Sequence, residues 1–142
     1  MKTSKEVLSS LVKTAQMGQI GIRSILDTSM TPGLRAVLHD QLREFDAIET
    51  EGHSIAAQRG WELSELDPAV RFLTDKMTRF RLTGRHPDSR IADMMIQGNT
   101  RGMIKNLQNL HQCSSDDQRV RILSQKLLDC ENAGIRQMQL FL

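Results

Sequence analysis

The stretch 89–113, SRIADMMIQGNTRGMIKNLQNLHQC, has the length and spacing of one long helix but carries two glycines in its middle. Gly98 and Gly102 lie four residues apart, and each glycine costs about 1 kcal/mol relative to alanine inside a helix. Glycines kept at such positions indicate that another backbone comes close. Apolar residues also fall on more than one side of this stretch, so we expect it to be the most buried helix of the protein.

The rest of the sequence shows the same helical spacing of apolar residues. Together these rows of regularly spaced apolar residues predict long helices at 3–27, 32–59, 89–113 and 116–141, and a short helix at 68–82. Thr31 followed by Pro32 is a typical helix start, and Gly60 is a typical helix end. Because no segment alternates as a strand would, the sequence predicts an all-α protein.

The connections between these helices predict their arrangement. Short loops make the first two and the last two long helices antiparallel hairpins, and the connector 60–88 is long enough to cross from one end of a bundle to the other. This is the up-down-down-up order of a ferritin-like four-helix bundle with a short extra helix in the crossover. We expect one such domain over 1–142.

Glycines in the predicted helix interiors are the first candidate site. Two interpretations stay open for them: close helix packing, which we favour, and a gap in the bundle core that holds a ligand. Gln97, Asn99 and Thr100 would supply polar contacts in such a pocket. The glycines concerned are Gly18, Gly98, Gly102 and Gly134.

Composition and charge exclude several classes of protein. Hydrophobic residues make up 39% and charged residues 25%, as in ordinary globular domains, and the formal net charge of +2 argues against a dedicated nucleic-acid binder. No run of 18 apolar residues predicts a membrane span, and the first residues lack the apolar stretch of a signal peptide. Cys113 and Cys130 do not form a disulfide framework, so we expect a cytoplasmic protein with reduced thiols.

Three segments resemble a known group of proteins. The segment 91–103, IADMMIQGNTRGM, is similar to one in small uncharacterised helical-bundle proteins of Gram-positive anaerobes, and 13–18, KTAQMG, and 131–138, ENAGIRQM, also fit. The resemblance spans nearly the whole chain. It implies a ferritin-like fold related to spore-coat-type bundles, and it implies no activity because that group has no known function.

A ferritin-like fold raises the question of a di-iron centre, which needs a Glu from each of two helices and Glu-x-x-His from each of the other two. The helices predicted at 3–27 and 89–113 have no carboxylate in their middle parts, and the one at 116–141 has no histidine. The weak candidates Glu44, Glu49 and His53 all lie on one helix and are best interpreted as a solvated face. We therefore expect no metal and no cofactor, the di-iron site having been lost.

The connector carries a local excess of positive charge that is a candidate anion-binding patch. An ordinary basic surface on a connecting helix is the simpler interpretation. The residues concerned are Arg71, Lys76, Arg79, Arg81 and Arg85.

These observations favour a non-enzymatic bundle that acts by self-assembly or by binding a protein partner, with one face of the helix at 89–113 buried in a homodimer or other homo-oligomer. Two alternatives stay open. One is a metal-binding or redox protein that uses Glu44, Glu49 and His53. The other is a carrier of a small ligand in the gap left by the glycines.

Overall fold

The computed structural model describes residues 1–66, 86–114 and 117–142, which form four long helices. We name them α1 (Ser4–Ile25), α2 (Pro32–Arg59), α3 (Pro87–Gln112) and α4 (Gln118–Gln139). The described residues contain no β-strand, only one isolated bridge between Lys2 and Cys113. The prediction of an all-α, four-helix protein is confirmed, and each helix end lies within two residues of its predicted position. The short helix predicted at 68–82 lies outside the described residues.

Local signals set the helix ends. The hydroxyl of Thr3 caps α1 by accepting a hydrogen bond from the backbone N–H of Glu6 at 3.2 Å. Gly60 ends α2 in the left-handed conformation, with φ of 68°, as its position in the sequence predicts. Thr31 precedes α2 but does not cap it; its hydroxyl donates instead to Asp88 Oδ2 at 2.6 Å. That contact ties the start of α2 to the start of α3.

Contacts at the ends show how the helices run. The backbone N–H of Lys2 donates to the carbonyl of Gln112 at 2.8 Å, so the start of α1 lies beside the end of α3. Arg59 at the end of α2 forms an ion pair with Asp117 at the start of α4. α1 packs closely along α2 and α3 along α4, whereas α1 and α3 pack together much less. The four-helix bundle is therefore most open between α1 and α3.

The core consists of aliphatic side chains from all four helices, such as Leu8, Leu38, Ile91 and Leu127. α3 contributes less to it than the sequence predicts. Toward its end α3 buries amides, and its exposed apolar residues include Ile104 and Leu107, which are 52% and 39% exposed. The prediction that this helix is the most buried is therefore wrong. The inward stripe runs through positions 92, 95, 99, 102, 106 and 109, a regular seam in which glycine and asparagine replace apolar residues.

None of the four helices has both the length and the apolar character needed to cross a membrane; this holds for the residues described here.

Candidate functional site

A cleft of about 1040 Å³ lies between α1 and α3, where the bundle is open. The two helices supply most of its walls, Phe45 of α2 contributes a ring, and Glu131 of α4 contributes a carboxyl group. The lining of α1 extends from Lys5 to Gly21. A cavity of this volume is at the upper end of the range that holds small organic ligands.

The four glycines singled out in the sequence have different surroundings. A Cβ atom added to Gly18 would lie 2.7 Å from the ring of Phe45, so this glycine allows close packing of α1 and α2. Gly102 and Gly134 make room for polar side chains of the facing helix. Gly98 has nothing within 4 Å of an added Cβ, and it lines the cleft. Close helix packing therefore applies to Gly18, Gly102 and Gly134, whereas the space beside Gly98 is open, and a ligand there stays a prediction.

Glu131 is the buried acid at the floor of this cleft. Its side chain extends from α4 toward Gly102 of α3, and the residue is only 1% exposed. No described residue donates a hydrogen bond to its Oε1 atom. Burial raises the pKa of Glu131 to about 8, because nothing close by compensates for the lost hydration of the charged form. At neutral pH the carboxyl group is therefore mostly protonated and can both donate and accept a hydrogen bond.

Asn99 lies one helical turn from Gly102 on the same wall of the cleft and is 5% exposed. Its Nδ2 atom is 2.7 Å from the position of a Cβ on Gly134, and no described residue accepts a hydrogen bond from it. The amide of Gln41 reaches the same gap, and its Oε1 atom also lacks a partner among the described residues. Buried polar groups without partners cost about 1–3 kcal/mol each. These two amides meet over Gly134, between α2, α3 and α4, and neither Gly134 nor Gln41 lines the cleft.

The other inward amides of α3 contrast with Asn99 because they are paired. Asn106 donates to the carbonyl of Ser124 at 2.9 Å. Asn109 donates to the hydroxyl of Ser10 at 2.8 Å and accepts from the ammonium group of Lys2 at 2.7 Å. These amides hold α3 against α4 and α1. Among the three inward asparagines of α3, only Asn99 has a buried, unpaired side-chain atom.

Basic side chains line one half of the cleft. Lys13 of α1 and Arg101 and Lys105 of α3 flank the level at which Glu131 meets Gly102. The sequence analysis did not single out these three residues, since they are spread over two helices. Their positions become meaningful only when α1 and α3 face each other.

The structure does not bring the three metal candidates together. Glu49 lies between α1 and α2, where its carboxylate accepts hydrogen bonds from Gln16 at 2.7 Å and Gln19 at 2.8 Å. His53 is exposed and lies 3.3 Å from Glu49. The hydrogen bonds from Gln16, Gln19 and His53 outweigh the effect of burial and lower the pKa of Glu49. Glu49 is thus held by α1, and its interpretation as part of a solvated face is wrong.

Glu44 is exposed and interacts with Cys130 of α4. It accepts a hydrogen bond from the thiol of Cys130, whose pKa is raised first by burial and then by this carboxylate. Among residues 1–66, 86–114 and 117–142, no group of three or more His, Cys, Asp or Glu side chains is placed to hold a metal ion. The proposed anion patch at Arg71, Lys76, Arg79, Arg81 and Arg85 lies outside the described residues.

Glu131 is the main site residue that the sequence analysis missed. Its neighbour Cys130 is also buried, so the inward surface of α4 is wider than a single stripe. Positions 120, 124, 127, 131, 134 and 138 form a regular seam within this surface, and that spacing is the signal that would have found Glu131. A charged residue at a regular seam position, with glycine three residues later, indicates a polar site inside a bundle.

No protein-family model matches this chain, and neither the curated proteins nor the solved structures include a significant match.

Proposed function

We propose that this chain is a non-enzymatic helical-bundle protein that binds a small organic ligand in the cleft between α1 and α3. The observation that carries the proposal is the buried carboxyl group of Glu131, which lines the cleft and whose Oε1 atom has no partner among the described residues. A ligand that supplied a hydrogen-bonding group there would offset the desolvation cost of this atom. The open walls on either side provide the apolar and basic surface that would hold the rest of the molecule.

The cleft suits binding better than reaction. Glu131 is its only buried titratable residue in the described part of the chain, and no histidine or cysteine lines the cleft with it. General acid–base or nucleophilic catalysis needs a second reactive group within hydrogen-bond reach. The sequence analysis left open a carrier that holds a small ligand in the gap left by the glycines. We keep this hypothesis but place the ligand beside Gly98 and not in the gap over Gly134.

The proposal includes a ferritin-like, up-down-down-up topology and a cytoplasmic location. The topology is supported by the end contacts, which place α1 antiparallel to α3 and α2 antiparallel to α4. The resemblance to ferritin-like bundles of Gram-positive anaerobes stays a prediction. The cytoplasmic location is likewise an expectation from the sequence.

Self-assembly is a second candidate function, and the outer face of α3 favours it. Ile104 and Leu107 are three residues apart, share a helix face and are 52% and 39% exposed. A second copy that covered these two side chains would remove their apolar surface from water. This candidate agrees with the homodimer expected from the sequence, and it leaves the cleft free for a ligand.

Native mass spectrometry of untagged protein, purified without chelator, tests both candidates. We expect wild-type protein to carry an organic mass that is lost in Gly98→Leu, because the larger side chain would occupy the open space beside Gly98. Ala133→Leu is the matched control, since Ala133 is exposed on α4 and does not line the cleft. Circular dichroism would verify that both variants fold.

Wild-type protein at the mass of the bare chain would contradict ligand binding by the protein as isolated. For self-assembly we expect a dimer that Leu107→Lys converts to monomer, whereas Gln108→Lys on the same helix does not. A wild-type monomer at micromolar concentration would contradict this second candidate.

A further inference from the structure

The cleft has two chemically different halves, and this division indicates which class of ligand it takes. The following inference rests on the proposed ligand-binding function. The halves can be assigned because α1 and α3 are antiparallel: Ser10 lies beside Asn109, and Thr14 lies beside Gly102. The start of α1 therefore faces the end of α3, and the later part of α1 faces the start of α3.

The half near the start of α1 is basic. Of the described residues that line the cleft, five are Lys or Arg, and all five lie at or near this end. Three glutamates line the cleft, and one of them is the buried Glu131. The basic residues are Lys2, Lys5, Lys13, Arg101 and Lys105.

The other half is apolar and open. Met17 and Gly21 of α1 face Met94 and Gly98 of α3, with the ring of Phe45 behind them. Neither Gly21 nor Gly98 has any atom within 4 Å of an added Cβ, so no side chain occupies the space beside these two glycines. Methionine side chains adapt to varied apolar shapes, which suits a flexible hydrocarbon chain.

Glu131 and Asn99 mark the junction between the halves. Both are at least nine-tenths buried, both line the cleft, and each has a polar atom without a partner among the described residues. A protonated carboxyl group at Glu131 is a hydrogen-bond donor. With the positive charges of Lys13, Arg101 and Lys105 on the walls of the same cleft, it is complementary to the oxygens of an anion.

We propose that the ligand is a single-chain amphiphile whose anionic head, a carboxylate or a phosphate, lies among Lys13, Arg101 and Lys105 and accepts a hydrogen bond from Glu131. Its hydrocarbon chain lies along Met17, Met94 and Gly98. The α1 lining from Lys13 to Gly21 is about 12 Å long at 1.5 Å per residue, so it accommodates most of an extended dodecyl chain. A cationic head at the same place would meet the positive side chains of Lys13, Arg101 and Lys105 and is disfavoured.

Isothermal titration calorimetry with two probes of opposite head charge and equal chain length tests this assignment. The probes are dodecanoate and dodecyltrimethylammonium, each kept below its micelle concentration. We expect dodecanoate to bind at least tenfold more tightly. The charge reversal Lys13→Glu with Arg101→Glu should weaken dodecanoate at least tenfold, whereas Lys126→Glu with Arg136→Glu on α4, outside the cleft, should change its affinity less than threefold. Dodecyl phosphate distinguishes the two head groups.

Gly98→Leu separates failure of this inference from failure of the proposed function. Equal or tighter binding of the cationic probe, lost in Gly98→Leu, would overturn the anionic assignment and leave the cleft as a binding site. Binding of either probe that Gly98→Leu does not change would place the ligand elsewhere and overturn both. Absence of binding by all three probes would overturn the amphiphile assignment, and the native mass spectrum would then decide the proposed function on its own.

Discussion

The carboxyl group of Glu131 on α4 occupies the space that a side chain at Gly102 on α3 would need. A Cβ added to Gly102 would overlap Oε2 of Glu131 and lie 3.2 Å from the methyl group of Thr14 on α1. One turn away the relationship is reversed, because the amide of Asn99 on α3 fills the space over Gly134 on α4. On each of α3 and α4, a glycine thus makes room for a polar side chain of the other helix, at the level of the cleft.

The first prediction concerns the coupling of Gly102 with Glu131. Gly102→Ala should lower the free energy of unfolding by about 1–2 kcal/mol, because displacing the buried carboxyl group outweighs the gain of about 1 kcal/mol in helix propensity. In a Glu131→Ala background the same substitution should cost much less, because only the methyl group of Thr14, 3.2 Å from the new atom, still has to move. Urea denaturation of the four proteins, followed by circular dichroism, measures the coupling.

Gly98→Ala is the control for this cycle, since the added methyl group meets only open space. It should raise the free energy of unfolding by roughly 0.5–1 kcal/mol in both backgrounds. Equal effects of Gly102→Ala with and without Glu131 would show that the two residues do not interact.

The second prediction compares two glycines of α1. Gly18→Ala should destabilise the protein by about 1–3 kcal/mol, because its methyl group would meet the buried ring of Phe45, which has little room to move. Gly21→Ala should stabilise it by up to about 1 kcal/mol, since nothing lies within 4 Å of the new atom. Thermal unfolding of the two variants against wild type measures the difference in sign. A stabilising Gly18→Ala would mean that α1 and α2 are farther apart than described.

The third prediction concerns pH. Glu131 has an ordinary pKa of 4.5 when the chain is unfolded, and burial raises it to about 8 in the folded protein. Between these values the folded state binds more protons than the unfolded state, so the free energy of unfolding falls as the pH rises from about 4.5 to about 8. The expected loss is on the order of a few kcal/mol. Urea denaturation at several pH values measures it.

Glu131→Gln is the matched variant, because it keeps the shape and the hydrogen-bonding groups but cannot ionise. Its free energy of unfolding should fall less over the same range and exceed that of wild type above about pH 8. Glu49 and Asp117, whose pKa values are lowered, change stability only in more acidic solution. Parallel pH profiles for wild type and Glu131→Gln would show that the carboxylate is hydrated in the folded protein.

The fourth prediction concerns the junction of α2 and α4. Arg59 donates to both carboxylate oxygens of Asp117, at 2.6 and 3.0 Å, and Asp117 also caps α4 by accepting from the N–H of Val120 at 3.4 Å. Asp117→Ala should cost about 1 kcal/mol through loss of the cap, whereas Asp117→Asn, which keeps a capping oxygen, should cost less. The hydrogen bond from Arg59 lowers the pKa of Asp117, so this contribution is lost as the pH falls below about 4.

Asp129→Ala is the control for that prediction, because Asp129 lies exposed in the middle of α4. Chemical denaturation at pH 7 and pH 3 measures the three variants. A loss of stability for Asp117→Ala that is unchanged at pH 3 would show that its carboxylate contributes nothing through its charge.

The seams of α1 and α2 were readable from the sequence because their inward residues are apolar. Leu8, Leu11, Leu34 and Leu38 are buried as their spacing predicts. The seam of α3 was not readable, because its inward positions hold Asn99, Gly102, Asn106 and Asn109 while Ile104 and Leu107 face outward. Hydrophobic periodicity finds the buried face of a helix only when that face is apolar.

The sequence by itself determined the helices and their ends, since helix formation and capping depend on residues within about four positions of each other. It also marked the glycines as points of special packing. Only the tertiary structure decided at which glycines a side chain of another helix occupies the neighbouring space and at which that space is open. Phe45 enters the gap at Gly18, Glu131 enters the gap at Gly102, and the space beside Gly98 stays empty. Which side chain occupies the space beside each glycine depends on residues far away in the sequence. Local periodicity does not show which of these residues come into contact.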